Sequence, residues 1–240
     1  MSTGAHTTGT APTPDRQFTV ALIHATPAAM APGQAAFADR FPEATVWNLL
    51  DDLLITQAND AGGVTEPLAG RMRTLINHAI AGGADGVLLS CSMYGPVTGT
   101  VTPVPAIPVL GSDEALFAAV TDLRPAHVTV LGPMQTPVND TVERLRSYLR
   151  SRGLTPEISG AVVAGAVQAT TAGDREGLEA AVVAAARAAE DGTDVIVLGQ
   201  FSLAPAAAAT AAAVRIPVLS PPQLAADVLR SQLLKSGVTQ

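Results

Sequence analysis

GADGVLLSCSMYGP, residues 83–96, and GTDVIVLGQFSLAP, residues 192–205, decide the fold of this chain. Each sets an aspartate before an unbroken apolar run and closes on a turn that ends in proline. A short apolar run of this kind, bounded by turn residues, is the pattern of a strand covered on both faces in a parallel sheet. Gly83 is matched by Gly192, Asp85 by Asp194 and Pro96 by Pro205, all at a spacing of 109.

The repetition extends outward. IPVLGSDEALFAAV, beginning at residue 107, has its counterpart in IPVLSPPQLAADVL, beginning at 216, again 109 apart. ATP at 25–27 faces QTP at 135–137 with one residue inserted. One register held across separated segments is the signature of a duplicated unit. Within the first unit, FTVALIHA reads as a strand, QAAFADRF as a helix and ATVWNLLDD as a second strand. EPLAGRMRTLINHAIAGG then spaces Leu68, Met72, Leu75, Ile76 and Ile80 as one helical face before a Gly-Gly stop.

The expected architecture is α/β: two duplicated, pseudo-symmetric lobes, each a parallel sheet flanked by helices, with the active site in the interlobe cleft. Residues 1–17, rich in Thr, Pro and Gly, read as a disordered tail. Residues 18–112 form the first lobe, completed by the C-terminal stretch 219–240, and residues 113–218 form the second.

Composition narrows the function. A chain of 240 residues with 48% hydrophobic and 15% charged residues suits a soluble globular protein. Its net charge of -7, with scattered cations, argues against nucleic acid as a partner. No signal peptide or membrane-length apolar run is present in the sequence, so a cytoplasmic location is expected, with no membrane partner. The four histidines His6, His24, His78 and His127 lack metal-site spacing, and neither GxGxxG nor GxxxxGK[ST] occurs. Neither a metal nor a nucleotide cofactor is expected.

Strand ends facing the cleft carry His24, Thr26, Cys91, Ser92, Tyr94, Thr136, Gln200 and Ser202. Backbone N–H groups and hydroxyls at such turns suit a carboxylate or imide oxygen. Cys91, the single cysteine, ends a strand ahead of an expected helix N-terminus, which would lower its pKa and suit a nucleophile or acid/base. Burial as a space-filling thiol is the alternative. His24 and Tyr94 are candidate acid/base partners, each with a structural reading of equal standing. Asp51 and Asp52 read as helix caps, and His78 and His127 as structural.

ADGVLLSCS followed one lobe later by TDVIVLGQFS resembles the aspartate/glutamate racemase superfamily, which includes hydantoin racemases, maleate isomerases and arylmalonate decarboxylases. The resemblance implies a cofactor-independent site in which two cysteines, one per lobe, work as an acid/base pair on a carbon acid. Cys91 matches the first position, and the second falls on Gln200. A glutamine amide binds oxygen but does not exchange protons near neutrality, so two-cysteine racemisation is excluded.

The expectation is therefore an isomerase or racemase-like enzyme acting on a small carboxylate or cyclic imide through one cysteine. A decarboxylase or other lyase on the same scaffold, and a non-catalytic small-molecule-binding homologue, are the alternatives. Thr26, Ser92, Thr136, Gln200 and Ser202 are the expected substrate-binding residues. A homodimer is compatible with this reading.

Overall fold

The computed structural model describes residues 17–105 and 107–237, so all but the last residue of the expected tail lies outside the described residues. The first lobe runs β1 (Phe18–His24), α1 (Met30–Arg40), β2 (Ala44–Leu50), α2 (Leu53–Asp60), α3 (Glu66–Ala81), β3 (Gly86–Leu89) and β4 (Val109–Leu110). The second runs α4 (Glu114–Leu123), β5 (His127–Gly132), α5 (Gln135–Arg150), β6 (Glu157–Val162), α6 (Ala166–Ala172), α7 (Arg175–Ala189), β7 (Val195–Leu198), α8 (Ala207–Ala213) and β8 (Val218–Leu219), and α9 (Pro221–Gly237) follows it in the chain. Among the described residues two four-stranded sheets result, ordered β2-β1-β3-β4 and β6-β5-β7-β8, with each of these strand pairs parallel.

The repeated aspartates that revealed the duplication are staples at the base of each sheet. Asp85 accepts a hydrogen bond from the Thr19 backbone N–H at 2.8 Å, and Asp194 accepts from Ala126 and His127 at 2.8 Å each. Each carboxylate thereby ties the start of one central strand to the turn that begins its neighbour. The Gly-Gly stop after α3 is likewise structural: Gly83 has φ +91°, a left-handed conformation that side chains resist.

Helices cover both faces of each sheet. α2 and α3 bury Leu54, Met72 and Ile76 with Ile23, Val87 and Leu89 on one face of the first sheet. On its other face Phe37 of α1 and Ala226, Leu229 and Leu233 of α9 close over Phe18, Val20 and Leu22. The C-terminal helix thus packs on the first sheet. The equivalent helix α4 packs on the second, where Leu116, Phe117 and Val120 meet Val128, Val130, Leu145 and Val197. Each fully buried aliphatic side chain of this kind contributes roughly 1.5–3 kcal/mol against the entropy of ordering the chain.

The spacing between equivalent first strands differs from the sequence expectation. Asp85 N–H donates to Thr19 O, and Asp194 N–H donates to His127 O, so Thr19 is the equivalent of His127. On this register Thr26, which precedes the turn after β1, corresponds to Met134 rather than to Thr136. ATP and QTP are alike in letters but stand at different backbone positions.

Candidate active site

Cys91 follows β3 by two residues, as Gln200 follows β7. The backbone around them is equivalent bond by bond. Ser90 N–H donates to Ile23 O at 3.0 Å and Gly199 N–H to Leu131 O at 2.8 Å. Tyr94 N–H donates to Cys91 O and Leu203 N–H to Gln200 O, both at 3.1 Å. A 3-10 helix follows each residue, Ser92–Thr100 after the cysteine and Phe201–Ala206 after the glutamine.

Cys91 is 8% exposed and packs with Ala25, Tyr94 and Val97. Burial pushes its thiol up to about 11, although hydrogen bonds from the Met93 and Tyr94 backbone oppose the shift. Asp113 pushes the thiol further up, while Arg144 pulls it down. The expected lowering by a helix N-terminus is thus overturned. Only two N–H groups of a 3-10 turn reach the sulfur, and they do not outweigh desolvation.

His24 is fully buried, with Nδ1 2.8 Å from Ser90 Oγ and Nε2 2.9 Å from Asn48 Oδ1. Burial lowers its pKa, opposed by the Asn48 hydrogen bond. Both ring nitrogens are occupied, and the ring lies on the sheet face of Leu22, whereas Cys91 lies on the face of Ile23. Tyr94 is also fully buried, and its hydroxyl donates to Leu54 O at 2.9 Å. Its pKa is pushed up to about 12 by burial, with the Cys91 and Asp51 charges adding to the shift. Neither side chain is presented as a free acid or base opposite the thiol.

The remaining residues expected at the site separate. Ser92 is buried beside Cys91, Gln200 and Ser202 are half-buried on the equivalent turn, Thr26 is half-buried after β1, and Thr136 is exposed in the first turn of α5. Asp52 precedes α2 without a side-chain capping bond, and Asp51 instead holds Arg71 of α3 at 2.5 and 2.6 Å. The cap reading of these two acids is corrected accordingly. His78 packs its ring against Trp47.

The two lobes differ at His24. Strand register makes Gly132 the equivalent of His24, Gly160 of Asn48 and Gly199 of Ser90. A Cβ on Gly132 would lie 2.5 Å from a Val138 methyl, and one on Gly160 within 2.3 Å of its other methyl. In the second lobe Val138 therefore fills the space that the histidine network occupies in the first. The polar network and the thiol belong to one lobe, the apolar filling and the glutamine to the other.

Three residues at this end of the molecule were not singled out by sequence reasoning: Asp113, Thr141 and Arg144. Asp113 is buried in the loop after β4, takes Ser112 Oγ at 3.0 Å and pairs with Arg144 Nη1. Glu114, next to it, accepts from Thr98 Oγ1 at 2.9 Å, which ties this loop to the turn that starts at Cys91. Arg144 Nε donates to Asp140 at 2.8 Å. Burial lowers the Arg144 pKa, but Asp113 and Asp140 outweigh it and hold the guanidinium charged. The readable signal was Thr141, a polar residue in the apolar stripe Val138, Leu145, Leu149.

The surface cavity of about 370 Å³ lined by Arg124, Pro125, Leu149 and Leu154 lies at the opposite end of the second sheet, beside the start of β5. The chemistry-bearing residues stand at the other strand ends, where parallel α/β sheets bind ligands.

Comparison with known proteins agrees with this fold. No curated protein sequence is significantly similar to this chain. Among solved structures, an aspartate racemase homologue from Pyrococcus horikoshii OT3 superposes with a TM-score of 0.63 at 13% identity, covering 91% of this chain and 100% of that one. Allantoin racemase from Klebsiella pneumoniae gives 0.64 at 19% identity over 92% and 89% of the two chains. Glutamate racemase from Francisella tularensis, solved in complex with D-glutamate, gives 0.62 at 14% identity over 93% and 83%. At these identities the likeness establishes the shared fold. The family model described as Asp/Glu/Hydantoin racemase matches residues 16–229, and the chain belongs to that family.

Proposed function

We propose that the protein is a cofactor-independent isomerase or racemase-like enzyme that acts on a small carboxylate or cyclic imide through one cysteine, Cys91. The observation that carries this reading is the backbone equivalence of Cys91 and Gln200 at matching strand ends. One position keeps a proton-transfer group, and the other keeps only a hydrogen-bonding amide. A single thiol either adds to an activated double bond of the substrate and leaves after rotation, which isomerises it, or removes and returns a proton on one face of the substrate carbon, which exchanges the hydrogen with retention. Ser92, Thr26, Gln200 and Ser202 are the groups available to hold substrate oxygens as charge develops on them.

A thiol held up to about 11 is protonated at neutral pH and serves as a proton donor. That favours one second reading, a carbon-carbon lyase in which Cys91 protonates the enediolate left after cleavage. In both readings His24 is a positioning residue that fixes Ser90 and, through it, the strand end carrying Cys91.

Incubation with small acids and imides in D₂O, followed by NMR, tests the proposal. Deuterium enters at the α-carbon of the true substrate, and Cys91→Ala abolishes the exchange. A net loss of a carboxyl group with one deuterium gained identifies the lyase. Exchange that survives in Cys91→Ala defeats both readings.

A further inference from the structure

Two arginines stand apart from the rest. Among the described residues the other arginine side chains each meet a carboxylate, a carbonyl or an aromatic ring, as Arg71 meets Asp51, Arg187 meets Ala213 O and Arg152 lies on the Tyr148 ring. The side chains of Arg124 and Arg150 make no hydrogen bond, ion pair or ring contact among those residues. Both line the same stretch of surface. Arg124 lines the cavity of about 370 Å³ beside the start of β5, and Arg150 lines a cavity of about 160 Å³ next to it. The two cavities adjoin, because they share Leu154, Thr155 and Pro156. None of their lining residues is acidic, although the chain carries a net charge of -7.

Local structure does not account for these side chains. Arg124 closes α4 in the left-handed conformation, with φ 48° and ψ 50°, where glycine is the unstrained choice. It is the one non-glycine with positive φ among the described residues, so the backbone is strained at the point where this guanidinium enters the cavity. Arg150 ends α5, but the carbonyls of that helix end are already met. Ser151 N–H donates to Ser147 O, the Ser151 hydroxyl and Arg152 Nη1 donate to Tyr148 O, and the Arg152 and Leu154 N–H groups donate to Leu149 O. Arg150 is therefore not needed as a cap, and the helix end presents no row of unmet oxygens to repel an anion.

A guanidinium is a fork of donors with no acceptor, so each of the two calls for an anion. The acids alongside do not supply one: Glu143 pairs with Arg146 at 2.7 Å, and Glu157 faces His127 at 3.7 Å. Between the two forks the surface is apolar, carried by Leu154 and Pro156, with Pro125 and Leu149 on the wider side. A lone inorganic anion would engage one fork and leave this apolar surface wet. A neutral apolar molecule would leave both forks unmet.

We propose that Arg124 and Arg150 form a binding site for a small organic dianion, whose apolar body lies on Leu154 and Pro156 and whose two anionic groups are received one by each guanidinium. The site stands at the end of the second sheet remote from Cys91, and it does not depend on the reaction assigned to the thiol.

Naphthalene-2,6-disulfonate is the probe, with naphthalene-2-sulfonate and inorganic sulfate as controls, each titrated calorimetrically into the protein at low salt. The disulfonate binds about 5- to 20-fold more tightly than the monosulfonate, the worth of one further charge-assisted contact at a solvent-exposed arginine. Sulfate binds more weakly than either. Arg124→Gln and Arg150→Gln each bring the disulfonate down to the affinity of the monosulfonate for the wild type, and the double variant loses binding. Arg124→Gly separates binding from architecture. It relieves the left-handed backbone and raises Tm by about 1–3 °C, yet it weakens the disulfonate as much as Arg124→Gln does. Saturating disulfonate leaves Cys91 open to iodoacetamide.

Both arginines are exposed, so the variants keep the fold, and thermal melts verify this. Equal affinity for the disulfonate and the monosulfonate overturns the site. So does unchanged disulfonate binding in folded Arg124→Gln or Arg150→Gln, or a block of Cys91 alkylation by the disulfonate, which would put the ligand in the cleft. Failure of the wild type to bind the disulfonate at millimolar concentration overturns it as well.

Discussion

His24 Nδ1 lies 2.8 Å from Ser90 Oγ, and Ser90 is the residue before Cys91, so a fully buried imidazole holds the strand end that carries the thiol. The matching positions of the second lobe are glycines, Gly132 closed over by Val138 and Gly199 set against Val130 and Thr141. The histidine network accompanies the thiol and is absent where glutamine replaces it.

His24→Ala strips partners from buried Ser90 and from Asn48 and leaves a cavity, which costs about 2–4 kcal/mol in chemical denaturation. The pH dependence has a definite sign. Burial lowers the folded-state pKa below the ordinary value of 6.5, so the fold favours the neutral ring. The stability it contributes is present above that value and is lost as pH falls through the lowered folded pKa. His24→Gln flattens this acid limb in denaturation curves taken across the range.

Alkylation of Cys91 by iodoacetamide is slow at neutral pH and rises about tenfold per pH unit until it levels near the folded pKa. With that value pushed up to about 11 from 9.0, stability linked to the thiol is full below 9.0 and is lost as pH rises through about 11. A rate that levels off below pH 9.0 contradicts the buried, protonated thiol.

Asp113→Asn breaks a buried ion pair while leaving Arg144 in place. Loss of about 3–5 kcal/mol is expected where a charge is left without its partner, reduced here because Arg144 retains Asp140. Removal of the Asp113 charge also lets the Cys91 thiol titrate at lower pH, which the alkylation profile reads directly.

Phe201→Ala removes a ring that the second lobe inserts into the core of the first. The cavity costs about 3–5 kcal/mol. Because the lost contact is between lobes, Cys91 alkylation in the folded variant accelerates relative to the wild type.

Gln200→Cys places a second thiol at the position equivalent to Cys91. Where the wild type exchanges the α-hydrogen of a chiral substrate with retention, the variant is expected to produce inversion, read as loss of optical rotation. Retention in a folded, exchanging variant would show that the two strand ends do not address one carbon.

The duplication, the parallel strands and the equivalence of Cys91 with Gln200 were legible in the sequence because backbone hydrogen bonding imposes them locally. Repeated Asp, Gly and Pro residues staple and turn each strand, and apolar runs mark sheets covered on both faces. The sequence also pointed to Ser92 and Gln200 as cleft residues. It did not decide the state of the thiol, since a strand end before a turn looks the same whether water reaches it or not. Only packing of Ala25, Tyr94 and Val97 around Cys91 settles that burial outweighs two N–H groups. Nor could it separate a catalytic His24 from a structural one, because Asn48 and Ser90 are remote in sequence and meet the ring only across three strands. Asp113 and Arg144 were invisible for the same reason: an arginine on a helix reads as solvated until α4 brings a carboxylate from the other lobe's strand end against it.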